Sequence, residues 1–135
     1  MLHGGCLCGK VRYELDGLLR HVTHCHCSMC RKQHGAAFAT YGALSRSRFR
    51  IVKGDASLAT YASSDQVRRQ FCRECGSSLF WLHTEHPGVV DVALGTLDDD
   101  PGGRPVAHIF VASKAPWHDI TDDLQQHEGA LPRSQ

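Results

Sequence analysis

The chain has 135 residues, 41% hydrophobic and 21% charged, which suits one soluble globular domain and excludes a disordered chain or a membrane bundle. Net charge is +1, so neither nucleic acid nor a membrane surface is an expected partner. Seven cysteines and ten histidines are the outlying counts, and an odd number of cysteines excludes a fully paired disulfide framework within one chain.

Taken in order, Met1 to Cys6 shows no basic stretch followed by an apolar one, so no secretory leader is expected. No run approaches the ~20 apolar residues that span a bilayer. The expected location is therefore cytoplasmic. Thiols stay reduced there, and closely spaced cysteines bind metal or do redox chemistry.

Val11 to Leu15 alternates apolar and polar residues, the period of a half-buried strand. Similar short runs follow at Leu19 to Cys25, Ala37 to Ala43, Phe49 to Lys53, Leu58 to Ala62, Val67 to Phe71, Ser78 to Leu82, Val89 to Leu94 and Val106 to Ala112. Gly and Asp-Gly punctuate the joints, among them Asp16-Gly17, Gly54-Asp55 and Gly76. The pattern predicts an antiparallel all-β domain with one or two short helical turns. One turn would start at Ser28 and stop at Gly35; the other would cover Leu97 to Asp100. Residues 1–120 would form the domain, and 121–135 a polar tail that frays.

The predicted core is Val11, Tyr13, Phe38, Ile51, Phe71, Leu79, Trp81, Val90, Val92, Leu94, Ile109 and Val111. A β domain of this size gains little margin from burial alone, and a structural metal would supply the rest.

The cysteines form three groups: Cys6-Leu7-Cys8, Cys25-His26-Cys27-Ser28-Met29-Cys30, and Cys72-Arg73-Glu74-Cys75. Cys72-x-x-Cys75 offers two thiolates from one tight turn, with Gly76 free to close it. Cys6 and Cys8 in extended chain point to one face and offer a second pair. Joined, these four make a closed zinc site, which is structural in type.

Cys25, Cys27 and Cys30 then make a three-thiolate zinc site with its fourth position open, the arrangement of catalytic zinc. A zinc ribbon from Cys27, Cys30, Cys72 and Cys75 is the alternative pairing, and it leaves Cys6, Cys8 and Cys25 poorly placed. Arg31 and Lys32 follow the open group and would lower thiol pKa values, or form a solvated face. His24 and His26 alternate with the cysteines and point away from them; either would ligate only if the backbone bends. Neither predicted site needs a histidine.

Three segments carry a family resemblance: Gly5-Cys6-Leu7-Cys8-Gly9-Lys10-Val11, Cys25-His26-Cys27-Ser28-Met29-Cys30-Arg31-Lys32, and Phe71-Cys72-Arg73-Glu74-Cys75-Gly76-Ser77-Ser78-Leu79-Phe80. With His108-Ile109-Phe110-Val111 and Ser113-Lys114-Ala115-Pro116-Trp117 they resemble the glutathione-dependent formaldehyde-activating enzyme family. Its domain also occurs in a vertebrate centromere protein. The resemblance covers roughly residues 3 to 120.

It implies an all-β, zinc-binding β-tent, similar to methionine-R-sulfoxide reductase B. It implies structural zinc on Cys6, Cys8, Cys72 and Cys75, and a second zinc on Cys25, Cys27 and Cys30. The implied activity is that of a carbon–sulfur lyase joining glutathione and formaldehyde as S-hydroxymethylglutathione. Cys25, Cys27 and Cys30 would be the catalytic set, and Arg31 or Lys32 would meet a substrate carboxylate. The competing reading is a non-catalytic zinc-binding module or a glutathione carrier. A methionine sulfoxide reductase would need a nucleophilic cysteine outside both sites, and none remains.

Overall fold

The computed structural model describes residues 1–132 and contains eleven strands among them. Alternating sequence becomes strand where expected: β2 (Arg12–Leu15), β3 (Arg20–Cys25), β4 (Ala39–Ser45), β5 (Phe49–Lys53), β6 (Leu58–Ala62), β7 (Val67–Cys72), β8 (Ser78–His83) and β9 (Val89–Ala93). β1 (Leu2–Gly5) precedes them, and β10 (Ala107–Ile109) and β11 (Gln125–Gln126) follow. The fold is all-β with few helical turns.

Two sheets form. The small one has the order β1-β2-β5, and the large one β11-β10-β3-β4-β9-β8-β7-β6. Most neighbours are antiparallel, but β10 runs parallel to both β3 and β11, which corrects a wholly antiparallel reading. The long connection after β9 returns the chain to the end where β3 begins, so β10 enters in the same direction.

The one α-helix, α1 (Ser28–His34), begins a residue earlier than a Ser28 cap implies. Cys27 is its N-cap, and its sulfur accepts the Cys30 N–H. Gly35 ends it in the left-handed region at φ 59°. The expected second turn, Leu97 to Asp100, lies earlier as a 3-10 turn over Leu94–Thr96. Leu97 is instead drawn into a bridge with Gly4. Three further 3-10 turns cover Arg46–Arg48, Asp55–Ser57 and Val111–Ser113.

Over its described part, the stretch after 120 pairs back onto β10. Gln125–Gln126 pairs with β10, the His127 N–H donates to the His108 carbonyl, and the Phe110 N–H donates to the Gly129 carbonyl. A polar strand holds there because the edge of β10 offers unpaired backbone groups.

The main core includes Val11, Tyr13 and Leu15 on one side and Leu44, Phe80, Val90 and Val92 on the other, the inward faces of the two sheets. Tyr13, Phe49 and Phe80 stack at its centre, with Tyr13 and Phe80 edge-to-face at 5.1 Å. Leu15, Phe80, Val22 and Leu44 belong to this core and were missing from the sequence-based set. Phe38, Ile51, Phe71, Trp81, Leu94, Ile109 and Val111 are half-buried.

The period-two alternation of β4, β8 and β9 sends the intervening residues to the opposite face of the large sheet. There Tyr41, Ala39 and Ala93 pack with Cys25 and Cys30, flanked by Trp81, Ile109 and Phe110. The large sheet thus has the main core on one face and the three-cysteine group on the other.

Gly54 shows how tightly the two ends of the small sheet meet. Its φ is +90°, and a Cβ there would lie 2.0 Å from the Lys10 carbonyl oxygen. Gly54→Ala is expected to cost at least about 2 kcal/mol in chemical denaturation, from left-handed strain and backbone overlap. A change below about 0.5 kcal/mol would contradict that close approach.

Candidate metal centres

Cys6, Cys8, Cys72 and Cys75 bring their sulfurs within 4.8 Å of one another, and Cys25, Cys27 and Cys30 do the same. The ribbon pairing of Cys27 and Cys30 with Cys72 and Cys75 does not form. Among the described residues these are the two groups that can hold a metal ion, and neither includes a histidine.

The first group is built by two turns facing each other. The Gly9 N–H donates to the Cys6 carbonyl, closing the loop around Cys8. The Gly76 N–H donates to the Cys72 carbonyl, closing the turn to Cys75, with Gly76 at φ +81°. Cys6 and Cys8 sulfurs stand 3.5 Å apart, and Cys8 and Cys72 sulfurs 3.8 Å. Ser77 ties the turns together: its hydroxyl accepts the Leu7 N–H and lies 3.2 Å from the Cys75 sulfur.

Cys75 is pulled down to about 5, first by the Ser77 hydroxyl and then by backbone N–H groups of Ser77 and Cys8. Cys6 is lowered: against burial, the Val11 N–H and the Cys8 and Cys72 thiols prevail. Cys8 moves the other way, to about 11. There the Lys10 N–H lowers it, but burial and the three neighbouring sulfurs outweigh that bond.

The second group spans a strand end and a helix start. Cys25 closes β3, Cys27 caps α1, and Cys30 lies in its first turn. Cys25 and Cys30 are buried, and Cys27 is half-buried. Cys27 is pulled down to about 2 by hydrogen bonding from Cys25 and Cys30. Cys25 is pushed up, chiefly because Cys27 and Cys30 crowd it. Cys30 is also raised: its bond with Cys25 lowers it, but Cys27 and burial prevail.

Both sets therefore mix raised and lowered thiols, since sulfurs this close repel one another once ionised. A soft divalent cation removes that conflict, so both donor sets fit a metal such as zinc.

The cation that hydrogen-bonds to the second group is Arg69. It is 4% exposed, and its Nη1 donates to the Cys30 sulfur at 3.5 Å and to Gln33 Oε1 at 2.9 Å. Its Nε donates to the Ser63 hydroxyl at 2.9 Å. The side chains of Arg31 and Lys32, singled out by adjacency, show no hydrogen bond to a cysteine sulfur among the described residues, although the Arg31 main-chain N–H donates to the Cys27 carbonyl at 3.0 Å. Arg31 is half-buried with an unpartnered Nε, and Lys32 is exposed. The sequence did carry a signal for Arg69: it occupies the same strand phase as Val67 and Phe71, where a charge is out of place.

Beside Arg69, Tyr41 lies with its hydroxyl 2.8 Å from His34 Nε2. Phe110 closes the wall at φ 55°, a left-handed conformation that costs a non-glycine residue about 1 kcal/mol or more.

Behind the second group the histidines assemble. His26 is fully buried, with Nε2 2.7 Å from His108 Nδ1. His108 Nε2 lies 2.9 Å and 3.1 Å from the two Asp122 oxygens. Burial, followed by the charges of His108 and other cations, holds His26 down to about 4. The His108 bond, then the Leu124 N–H, lowers Asp122. Sequence reading credited no histidine. These contacts join residues 82 and 14 positions apart, a separation that no local spacing reveals.

A family sequence model, "Glutathione-dependent formaldehyde-activating enzyme", matches residues 1–113. A Podospora anserina protein whose name assigns it provisionally to that enzyme is 32% identical over 114 residues, covering 80% of this chain and 53% of that protein. A Schizosaccharomyces pombe protein named as an uncharacterised lyase is 27% identical over 81 residues, 60% of this chain and 57% of that one. The chain thus spans about half the length of these fungal relatives. A crystal structure of a Rhodobacter sphaeroides protein superposes with a TM-score of 0.62 at 28% identity, over 76% of this chain and 91% of that one.

The thiol order predicts a labelling pattern. In metal-stripped protein at pH 6, with retained circular dichroism, an alkylating pulse should mark Cys27 and Cys75 before Cys25 and Cys30, because the thiolate is the nucleophile. Mapping by mass spectrometry decides; Cys25 labelling first would contradict this order.

Proposed function

The chain belongs to the glutathione-dependent formaldehyde-activating enzyme family, and from that membership we propose a zinc-dependent carbon–sulfur lyase acting on a thiol–aldehyde adduct. The observation that carries the reading is the division of seven sulfurs into a set of four and a set of three on opposite faces of one sheet. Cys6, Cys8, Cys72 and Cys75 would hold a structural zinc, and Cys25, Cys27 and Cys30 a second zinc with an open position. Zinc at that position would bind an incoming thiol as its thiolate and polarise an aldehyde.

The chain's own residues shape the rest. Arg69 offsets the negative charge of the three sulfurs and, through Gln33 and Ser63, is fixed in place before substrate arrives. Trp81, Phe110 and Ile109 exclude water from one side. Arg31, with its unpartnered Nε, and Lys32 lie in the helix that carries Cys30, and would meet a carboxylate of a glutathione-like thiol.

In the reaction a carbon–sulfur bond forms, the carbonyl π bond breaks, and the thiol proton ends on the former carbonyl oxygen. No electrons are gained or lost. A cytoplasmic setting, where thiols remain reduced, suits this chemistry. Among the described residues no helix is long and apolar enough to cross a membrane.

The alternative is a zinc-bound module or a thiol carrier without turnover. Metal analysis should find two zinc ions per chain, one released readily to chelators. Cys27→Ala should abolish glutathione-dependent loss of formaldehyde while the fold persists. Wild type no faster than the spontaneous reaction would favour the carrier. Cys75→Ala should instead lose the cooperative thermal transition, because zinc at the four-cysteine site contributes to folding. A normally melting Cys75→Ala variant would contradict a structural role for that site.

A further inference from the structure

His26 lies between two of the three clustered cysteines, yet its ring points to the other side of the chain. The ring is fully buried and packs on Phe38 at 5.1 Å, and its Nδ1 has no partner. Its main-chain N–H donates to the Ile109 carbonyl at 2.9 Å. The segment linking Cys25 to Cys27 is thus held by one backbone bond and one buried ring.

The proton order along this ring's hydrogen bonds follows from its far end. Asp122 can only accept, so His108 Nε2 carries the proton that faces it. A buried ring with one proton then accepts at Nδ1, and the partner at 2.7 Å, His26 Nε2, donates. The His26 Nδ1 is left as a bare lone pair, which accounts for its lack of a partner. The opposite order would need a second proton on His108 and would bury an unpaired N–H on His26, both costly.

We propose that Asp122 is a positioning residue for the three-cysteine centre: through His108 it fixes the His26 ring, and with it the segment joining Cys25 to Cys27. Asp122 lies beyond residues 1–113, which the family model matches, so the proposed contribution comes from the C-terminal segment that follows them. The same segment holds the strained Phe110, whose N–H reaches the Gly129 carbonyl at 2.9 Å. Partners that orient a ligand directly are worth about 10- to 100-fold in metal affinity, and a group acting through two rings is worth less.

This inference rests on the zinc reading of the three-cysteine set, and two readouts separate them. The test uses the full zinc-loaded chain as wild type, Asp122→Ala, Asp122→Asn and a control, Gln125→Ala. Zinc release to a chelator is followed together with 15N spectra of the histidine rings. Asp122→Ala should release the faster zinc about three- to tenfold sooner, leave the slower zinc unchanged, and turn the single His26 tautomer into a mixture. Asp122→Asn should retain most of both properties, because its amide oxygen still accepts. An unchanged tautomer or release rate in Asp122→Ala would overturn the proposal, as would equal acceleration by Gln125→Ala. A wild type with no fast phase would sink the zinc reading and the positioning role together, and the ring spectra alone would then decide the proton order.

Discussion

Sulfurs held within 4.8 Å of one another cannot all ionise unless a cation lies among them, and this chain imposes that constraint twice. The rest of the structure answers to it. The strand and turn that bear Cys72 and Cys75 must return to the loop of Cys6 and Cys8, which draws the N-terminal strand onto the small sheet. The end of β3 and the start of α1 must meet closely enough to bring Cys25, Cys27 and Cys30 together. A domain this small has few other long-range constraints of comparable strength.

The large sheet keeps the two problems apart. Its alternation sends Phe80, Val90 and Val92 to the main core beside Cys72, and Trp81, Tyr41 and Ala93 to the wall of the three-cysteine group. β7 serves both, with Cys72 at its end and Arg69 three residues earlier. The four-cysteine group is tied by turns and a serine hydroxyl, with Cys8 exposed. The three-cysteine group has a buried guanidinium on one side and a chain of buried rings behind it. Under the proposed function, the first group would support folding and the second would meet a substrate.

Much of this was legible because β-strands have period two and metal-binding turns have fixed spacing. Eight strands follow from those regularities, and spacing favoured the four-and-three division of the cysteines over a ribbon of Cys27, Cys30, Cys72 and Cys75, which the fold then excluded. Arg69 was legible in principle, as a charge on an apolar strand phase. β10 was read as a strand, but its parallel pairing depends on the path of a long connection. The two-residue β11 has no pattern of its own and exists because an edge lies open beside it. His26, His108 and Asp122 meet only in three dimensions, so the histidine count meant little until the fold brought the His26 and His108 rings together with Asp122 and Phe38.

X-ray absorption at the zinc edge tests the division into four and three most directly. Wild type should show about 3.5 sulfur neighbours per zinc, the mean of a closed and an open centre, with lighter atoms completing the second. Cys27→Ala, keeping only the closed centre, should rise to about four sulfurs per zinc at half the metal content. About four sulfurs per zinc in wild type, with a single ion per chain, would contradict the account.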